Sequence, residues 1–351
     1  MALDEGKLNE LLGRFVADLG GSFHATNAVL GDRLGLYSSL QSVMPATAVE
    51  LAAEAGVGER YVREWLNGQA AGGYVTYDPS TERFSLSEEQ AFALAAADGM
   101  QIAAAFHLPV AIGKNIEQII DAARTGGGFP WHQHDASLFE GTERFFRPGY
   151  VANLVSSWIP ALDGVAEKLK TGAKVADVGC GHGASTLLLG NSYPASQITG
   201  FDYHKPSIDA ARKRASEAGL ADRVSFEAAA AASFPGTDFD LVAIFDALHD
   251  MADPLGAAQH IHDALRPGGT FLLVEPYAND AVEDNFNPVG RLFYAASTMV
   301  CVPHSMSEEP RTALGAQAGE ARLTELLREA GFSDIRRATE TPFNLVIEAR
   351  R

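Results

Sequence analysis

Three groups of residues in this chain have the types and spacing for chemistry. The first is Lys174-Val-Ala-Asp177-Val-Gly179-Cys-Gly181-His-Gly183-Ala-Ser-Thr-Leu-Leu-Leu189, where a strand-like run stops at an acid, breaks into three alternating glycines and resumes with helical spacing. Glycine at such positions permits positive φ and leaves no Cβ between backbone and a bound ligand. A helix starting after Gly183 aims unpaired N–H groups into the same crevice. The second is Asp202, closing the strand-like run Gln197-Ile-Thr-Gly-Phe-Asp202 with a carboxylate suited to a pair of sugar hydroxyls. The third is His249 in Asp246-Ala-Leu-His249-Asp250, directly after the apolar run Phe239-Asp-Leu-Val-Ala-Ile-Phe245. Imidazole is the side chain ready to take a proton near neutral pH.

These residues need an open α/β sheet whose strand ends share one crevice, since ligands collect at the carboxyl ends of such strands. The loop alone leaves two ligands open. Gly179 to Ala184 also satisfies the G-x-G-x-x-G/A dinucleotide pattern, and NAD and S-adenosylmethionine both carry a ribose for Asp202. Three features separate them. Asp177 suits a ligand with an ammonium group and would repel a pyrophosphate. The platform starts near residue 173, which leaves too little chain for a second mononucleotide half and a separate catalytic domain. The chain also ends in Ser333-Asp-Ile-Arg-Arg-Ala and Phe343-Asn-Leu-Val-Ile-Glu-Ala, two strand-like runs that read as a hairpin rather than another parallel unit.

With these residues the chain resembles the class I S-adenosylmethionine-dependent methyltransferases over residues 145–351. Their D-x-G-x-G-x-G hallmark is matched from Asp177 to Gly183 and their second-strand acid by Asp202. Leu265-Arg-Pro-Gly-Gly-Thr-Phe-Leu-Leu-Val-Glu275 matches their helix end, turn and fifth strand. The resemblance implies an α/β fold, a Rossmann-like seven-stranded sheet with its last strand antiparallel. It also implies S-adenosylmethionine as cofactor and S-adenosylhomocysteine as product. Gly179, Gly181 and Gly183 would accommodate the cofactor backbone. Asp202 would take the ribose with Tyr203 beside it, Asp177 would support the ammonium end, and Asp246 would shape the sulfonium pocket. The family often places an acid after its third strand to meet adenine. Here the chain reads Phe226-Glu-Ala-Ala-Ala-Ala-Ala-Ala-Ser233, which leaves that contact to backbone amides or Ser233. Leu248-His249-Asp250 is similar to the Leu-His-Asp-Trp stretch of hydroxyl-methylating members, with Met251 in place of the tryptophan. The resemblance makes His249 a general base, with Glu275 placed to orient it or reach the acceptor; the bland alternative is a histidine that only hydrogen-bonds locally.

At 351 residues and 46% apolar composition, the chain suffices for two packed domains. A net charge of −18 disfavours phosphate backbones, so nucleic acid is not the expected partner. Two cysteines, Cys180 and Cys301, make no disulfide framework, and the expected location is cytoplasmic. The start lacks the basic-then-apolar order of a signal peptide, and no run is long enough to span a membrane.

Residues 1–105 read as a mainly α winged-helix domain. Thr47 opens an alanine-rich helix, Gly56-Val-Gly58 breaks it, Arg60 to Ala71 forms the second helix, and Gly72–Asp78 with Arg83–Leu86 gives a β-ribbon turning at Pro79-Ser-Thr. Glu59 and Glu64 flank Arg60 and Arg63, which argues against DNA binding. Small-molecule O-methyltransferases commonly carry such a domain for dimerisation, and a homodimer is expected through it. Residues 106–160 are expected to be a helical linker lining the acceptor cleft, with one helix from about Leu108 to Arg124. Within it, Trp131 and His132 are candidate acceptor contacts. His132, His134 and Asp135 lack a second ligand cluster, so no metal is expected. Residues 161–351 form the methyltransferase domain, with a lid insert at about 278–319 whose Phe293, Tyr294 and Met299 suit a flat or greasy acceptor. The expected function is methyl transfer to a small-molecule acceptor, a hydroxyl deprotonated by His249. The alternatives are N- or C-methylation by proximity and a non-catalytic S-adenosylmethionine-binding regulator.

Overall fold

The computed structural model describes residues 3–97 and 99–351, which form two compact units. One unit comprises the residues up to Lys114 together with Ala136–Pro148; the other comprises Asn115–Asp135 and Gly149–Arg351.

The first unit is mainly helical. Its elements are α1 (Glu5–Arg33), α2 (Leu36–Val43), α3 (Ala48–Ala55), α4 (Glu59–Ala71), β1 (Thr76–Asp78), β2 (Arg83–Ser85) and α5 (Glu88–Leu94). The Thr47 hydroxyl accepts the Glu50 N–H while the Glu50 carboxylate accepts the Thr47 N–H at 2.7 Å, a reciprocal cap that starts α3 at the expected residue. Gly56, at φ +66°, ends it. β1 and β2 pair antiparallel as the wing, and Leu40, Leu51, Trp65, Leu66 and Phe84 make the core. The winged-helix expectation therefore holds. Arg63 pairs with Glu59 and Arg60 with Glu64, so α4 neutralises its own arginines. At the end of α1, Asp32 accepts two 2.8 Å bonds from the Arg144 fork and lies 2.7 Å from His107 Nε2. On the earlier part of α1, Leu11, Phe15, Val16, Leu19 and Phe23 recur at helical spacing on an exposed face, Phe15 being 56% and Phe23 71% exposed.

The expected helix from Leu108 to Arg124 is two helices, α6 (His107–Lys114) and α7 (Ile116–Thr125). Asn115 separates them with non-helical backbone, and its Oδ1 accepts the Asp135 N–H at 2.9 Å. Asparagine competes in this way for nearby backbone donors and so interrupts a helix that apolar periodicity alone would continue. The helix α8 (Ala136–Asn153) passes from one unit to the other at Pro148.

In the second unit the strands are β3 (Lys174–Val178), β4 (Gln197–Asp202), β5 (Val224–Ala228), β6 (Phe239–Phe245), β7 (Leu265–Pro276), β8 (Asp334–Glu340) and β9 (Asn344–Arg350). They form one sheet in the order β5-β4-β3-β6-β7-β9-β8. β3 to β7 run parallel; β9 is antiparallel to both β7 and β8, which closes the sheet with the expected hairpin. β6 is buried along its whole length, as a central strand covered on both faces must be. The order reverses at β3, so the crevice beyond the carboxyl ends of β3, β4 and β6 is the place for a ligand. Between β7 and the helix Gly319–Glu329, the insert folds as short helices, among them Pro288–Ala296 and Val302–Ser305.

Candidate active site

The loop after β3 takes its shape from the three glycines, each with positive φ: +74° at Gly179, +52° at Gly181 and +79° at Gly183. They differ in what surrounds them. A Cβ on Gly179 would lie 3.0 Å from the Ala247 Cβ, and one on Gly183 only 2.7 Å from the Phe226 ring. A Cβ on Gly181 would meet nothing within 4 Å, so this residue faces open space.

Two acids flank the loop, Asp177 buried and Asp202 half-buried. Asp177 Oδ2 accepts 2.6 Å bonds from the hydroxyls of Ser185 and Thr186 in the helix Ala184–Ser192, while its Oδ1 is buried with no hydrogen-bond partner. Burial pushes its carboxyl up to about 6. Asp202 Oδ2 accepts the Gly181 N–H at 2.9 Å and Oδ1 accepts the His204 N–H at 2.8 Å. Each oxygen keeps a further lone pair for a ligand. Burial raises this carboxyl as well.

At the end of β6 the chain turns sharply at Asp246, whose φ is +51°. Its Oδ2 accepts the Tyr150 hydroxyl at 3.0 Å and its Oδ1 the Asn344 amide at 2.9 Å. Burial, with the nearby Glu275 charge, pushes Asp246 up to about 8. His249 follows in a single helical turn and is buried. Its Nδ1 lies 2.5 Å from Glu275 Oε2, and the other Glu275 oxygen accepts the Leu248 N–H at 2.9 Å. Burial alone would lower the imidazole pKa, but the Glu275 carboxylate and the neighbouring Cys301 side chain outweigh it and hold the group well above its ordinary value. Asp250, beside it, is pushed up to about 7 by burial.

The remaining predicted residues are placed as follows. Tyr203 is exposed directly after Asp202, and Ser233 is exposed in the turn after β5. Trp131 and His132 sit in a short turn: the Trp131 N–H donates to His304 Nδ1 at 3.2 Å, and the His132 ring approaches Tyr203 edge-on at 6.5 Å. Phe293 is buried against Cys301 and Ala316, while Tyr294 and Met299 are half-buried. No group of three or more histidine, cysteine or acidic side chains among the described residues is arranged to hold a metal ion. Sequence reasoning missed Tyr150, Asn344 and Cys301. The first two meet Asp246 and the third meets His249 from distant parts of the chain, and no local pattern marks them.

Residues 169–331 match the family described as methyltransferase domain, and residues 23–96 match the Rv2258c-like winged HTH domain. The chain is 29% identical over 169 residues to 27-O-demethylrifamycin SV methyltransferase of Amycolatopsis mediterranei, covering 46% of this chain and 57% of that protein. It is 32% identical over 163 residues to O-methyltransferase resE of Aspergillus sclerotiorum, covering 46% and 55% respectively. The chain thus spans about half the length of these curated relatives. Among solved structures, human N-acetylserotonin methyltransferase in complex with SAM superimposes with a TM-score of 0.74 at 18% identity, covering 100% of this chain and 99% of that one. At that identity the likeness shows the fold.

Proposed function

We propose that this chain, which matches a methyltransferase domain at residues 169–331 and a winged HTH domain at residues 23–96, is an S-adenosylmethionine-dependent methyltransferase acting on the hydroxyl of a small-molecule acceptor. The observation that carries this reading is the pairing of a glycine loop with His249 at the carboxyl ends of adjacent strands, β3 and β6.

The residues fit the cofactor. Gly181 opens space at the loop, Asp202 retains lone pairs for ribose hydroxyls, and the unpartnered Asp177 Oδ1 supplies negative charge towards an ammonium group. Tyr203 and Ser233 flank the adenosine end, and Asp246 walls the sulfonium side. When bound, the cofactor supplies an electrophilic methyl group on a sulfonium. Glu275 fixes the Nδ1 side of His249, so proton transfer falls to Nε2, with the Cys301 side chain beside the ring. Glu275 also steadies the charge that the imidazole gains. Phe293, Tyr294 and Met299, with Trp131 and His132, line the acceptor side.

One observation favours a second reading. An imidazole whose pKa is held above its ordinary value is unprotonated in a smaller fraction of molecules at neutral pH, which weakens it as a base. Methyl transfer to nitrogen or carbon by alignment alone would avoid that demand. A regulator that binds the cofactor without turnover is the remaining alternative.

The exposed apolar stripe of α1 pairs with a second copy of the chain, giving a homodimer through the first unit. No helix among the described residues is long and apolar enough to cross a membrane, and both cysteines are free. We assign the protein to the cytoplasm, with no nucleic-acid partner.

Calorimetry tests the reading: S-adenosylhomocysteine should bind wild type and lose roughly 10- to 100-fold in affinity in Asp202→Ala. A preference for NAD would overturn it. With an acceptor in hand, His249→Ala should lower kcat by about 10²- to 10⁴-fold while cofactor affinity is kept. Little change in kcat would support alignment alone.

A further inference from the structure

The short helix Val302–Ser305 in the insert is tied, through its adjacent residues His304 and Ser305, to the segments that follow the two strands flanking β3. The Ser305 hydroxyl donates to Met251 O at 2.8 Å, and farther along the insert Thr312 N–H donates to Ala252 O at 3.1 Å. This segment follows β6, and the Met251 methyl lies 3.8 Å from where a Gly179 Cβ would be. The preceding residue, His304, lays its ring nearly parallel to Tyr203, with centroids 5.9 Å apart and planes 10° apart. Tyr203 follows β4 and adjoins Asp202. Since β3 lies between β4 and β6 in the sheet, an element tied to the ends of both crosses the glycine loop after β3.

A second segment braces this crossing. Phe129 N–H donates to Pro303 O at 2.7 Å, and Trp131 N–H donates to His304 Nδ1 at 3.2 Å. The two backbones approach so closely that a Cβ on Gly128 would fall 2.1 Å from Ser307 N. Acceptance at Nδ1 requires that nitrogen to be unprotonated, and burial pushes the His304 imidazole down to about 4, which keeps it so. Beneath the brace, His134 is buried against Phe129 with neither ring nitrogen hydrogen-bonded. Packed elements that leave a polar ring unsatisfied bear a cost that fastening elsewhere must offset.

Resting on the S-adenosylmethionine reading above, we infer that Val302–Ser305 and Phe129–His134 form a latch over the cofactor, with His304 as its catch. Cofactor entry and product exit both require the latch to open. Trp131 and His132, expected on the acceptor side, thereby also belong to the cofactor's cover.

Stopped-flow binding of S-adenosylhomocysteine to the full chain tests this, read by tryptophan emission, with Trp131→Phe as the control that separates the Trp131 signal from that of the buried Trp65 and Trp158. His304→Phe keeps the ring over Tyr203 and removes the acceptor, while His304→Asn restores an acceptor. Ser305→Ala removes the second anchor, the bond to Met251 O. Association and dissociation should both quicken about tenfold in His304→Phe and in Ser305→Ala, with Kd within threefold, and His304→Asn should recover part of the slow exchange. Unchanged rates in both loosened variants, with thermal melts like wild type, would overturn the latch. So would faster dissociation with unaltered association, which marks a simple ligand contact. Absence of S-adenosylhomocysteine binding in wild type would instead remove the methyltransferase reading and the latch with it.

Discussion

Glu275 Oε2 lies 2.5 Å from His249 Nδ1, and both side chains are buried at neighbouring strand ends. A carboxylate so close stabilises the protonated imidazole, which raises its pKa even against burial. The unprotonated fraction of His249 therefore grows as pH rises through the raised pKa. For base catalysis, kcat/KM should climb from neutral into alkaline pH. Glu275→Gln removes the stabilising charge, so the acid limb of the pH–rate profile should move to lower pH while the plateau falls. A limb that stays in place would separate Glu275 from proton transfer.

The glycines of the loop should fail in different ways when substituted. Gly183→Ala meets the Phe226 ring at 2.7 Å and a φ of +79°, so it should cost roughly 2–4 kcal/mol of stability. Gly181→Ala meets open space and should cost only about 1–2 kcal/mol, from backbone conformation. Its methyl group would project towards the ligand's space, so S-adenosylhomocysteine affinity should fall at least about tenfold. Denaturant melts and calorimetry on the two variants measure both effects.

Asp246 remains protonated in the fold up to about pH 8, whereas an unfolded aspartate ionises near pH 4. The unfolded state therefore releases a proton that the fold retains, and stability declines as pH rises through this window. Asp250, raised to about 7, acts in the same direction over its lower part. Asp246→Asn keeps an acceptor for Asn344 and cannot ionise. Its Tm should fall less steeply than wild type between pH 6 and 8, by at least about 2 °C across the interval. Parallel Tm curves would show that Asp246 ionises freely.

The exposed stripe of α1 should determine oligomeric state. Placing charges in it with Leu11→Glu and Phe15→Glu should convert a dimer to a monomer in light scattering after size exclusion, with the helical circular-dichroism signal retained. A dimer that survives both changes would place the interface elsewhere.

The platform was legible because its signals are local. Asp177 and the glycines occupy one strand-turn-helix, Asp202 closes the next strand, and His249 follows the fourth; strand-end position follows from apolar runs and their breaks. The wing and its capped helix were legible for the same reason, since Thr47 and Glu50 are three residues apart. The break at Asn115 was not, because its cause is a bond to Asp135, twenty residues on.

The sequence by itself determined the element order, the glycine turn and which acids end which strands, because backbone conformation and hydrophobic period act over a few residues. Only the tertiary structure decided what those residues face. Tyr150 and Asn344 meet Asp246 across 96 and 98 residues, and Trp131 reaches His304 across 173. Parallel strand pairing brings together segments far apart in the chain. Side-chain partners across such distances are set by packing density and burial, which residue order alone does not encode locally.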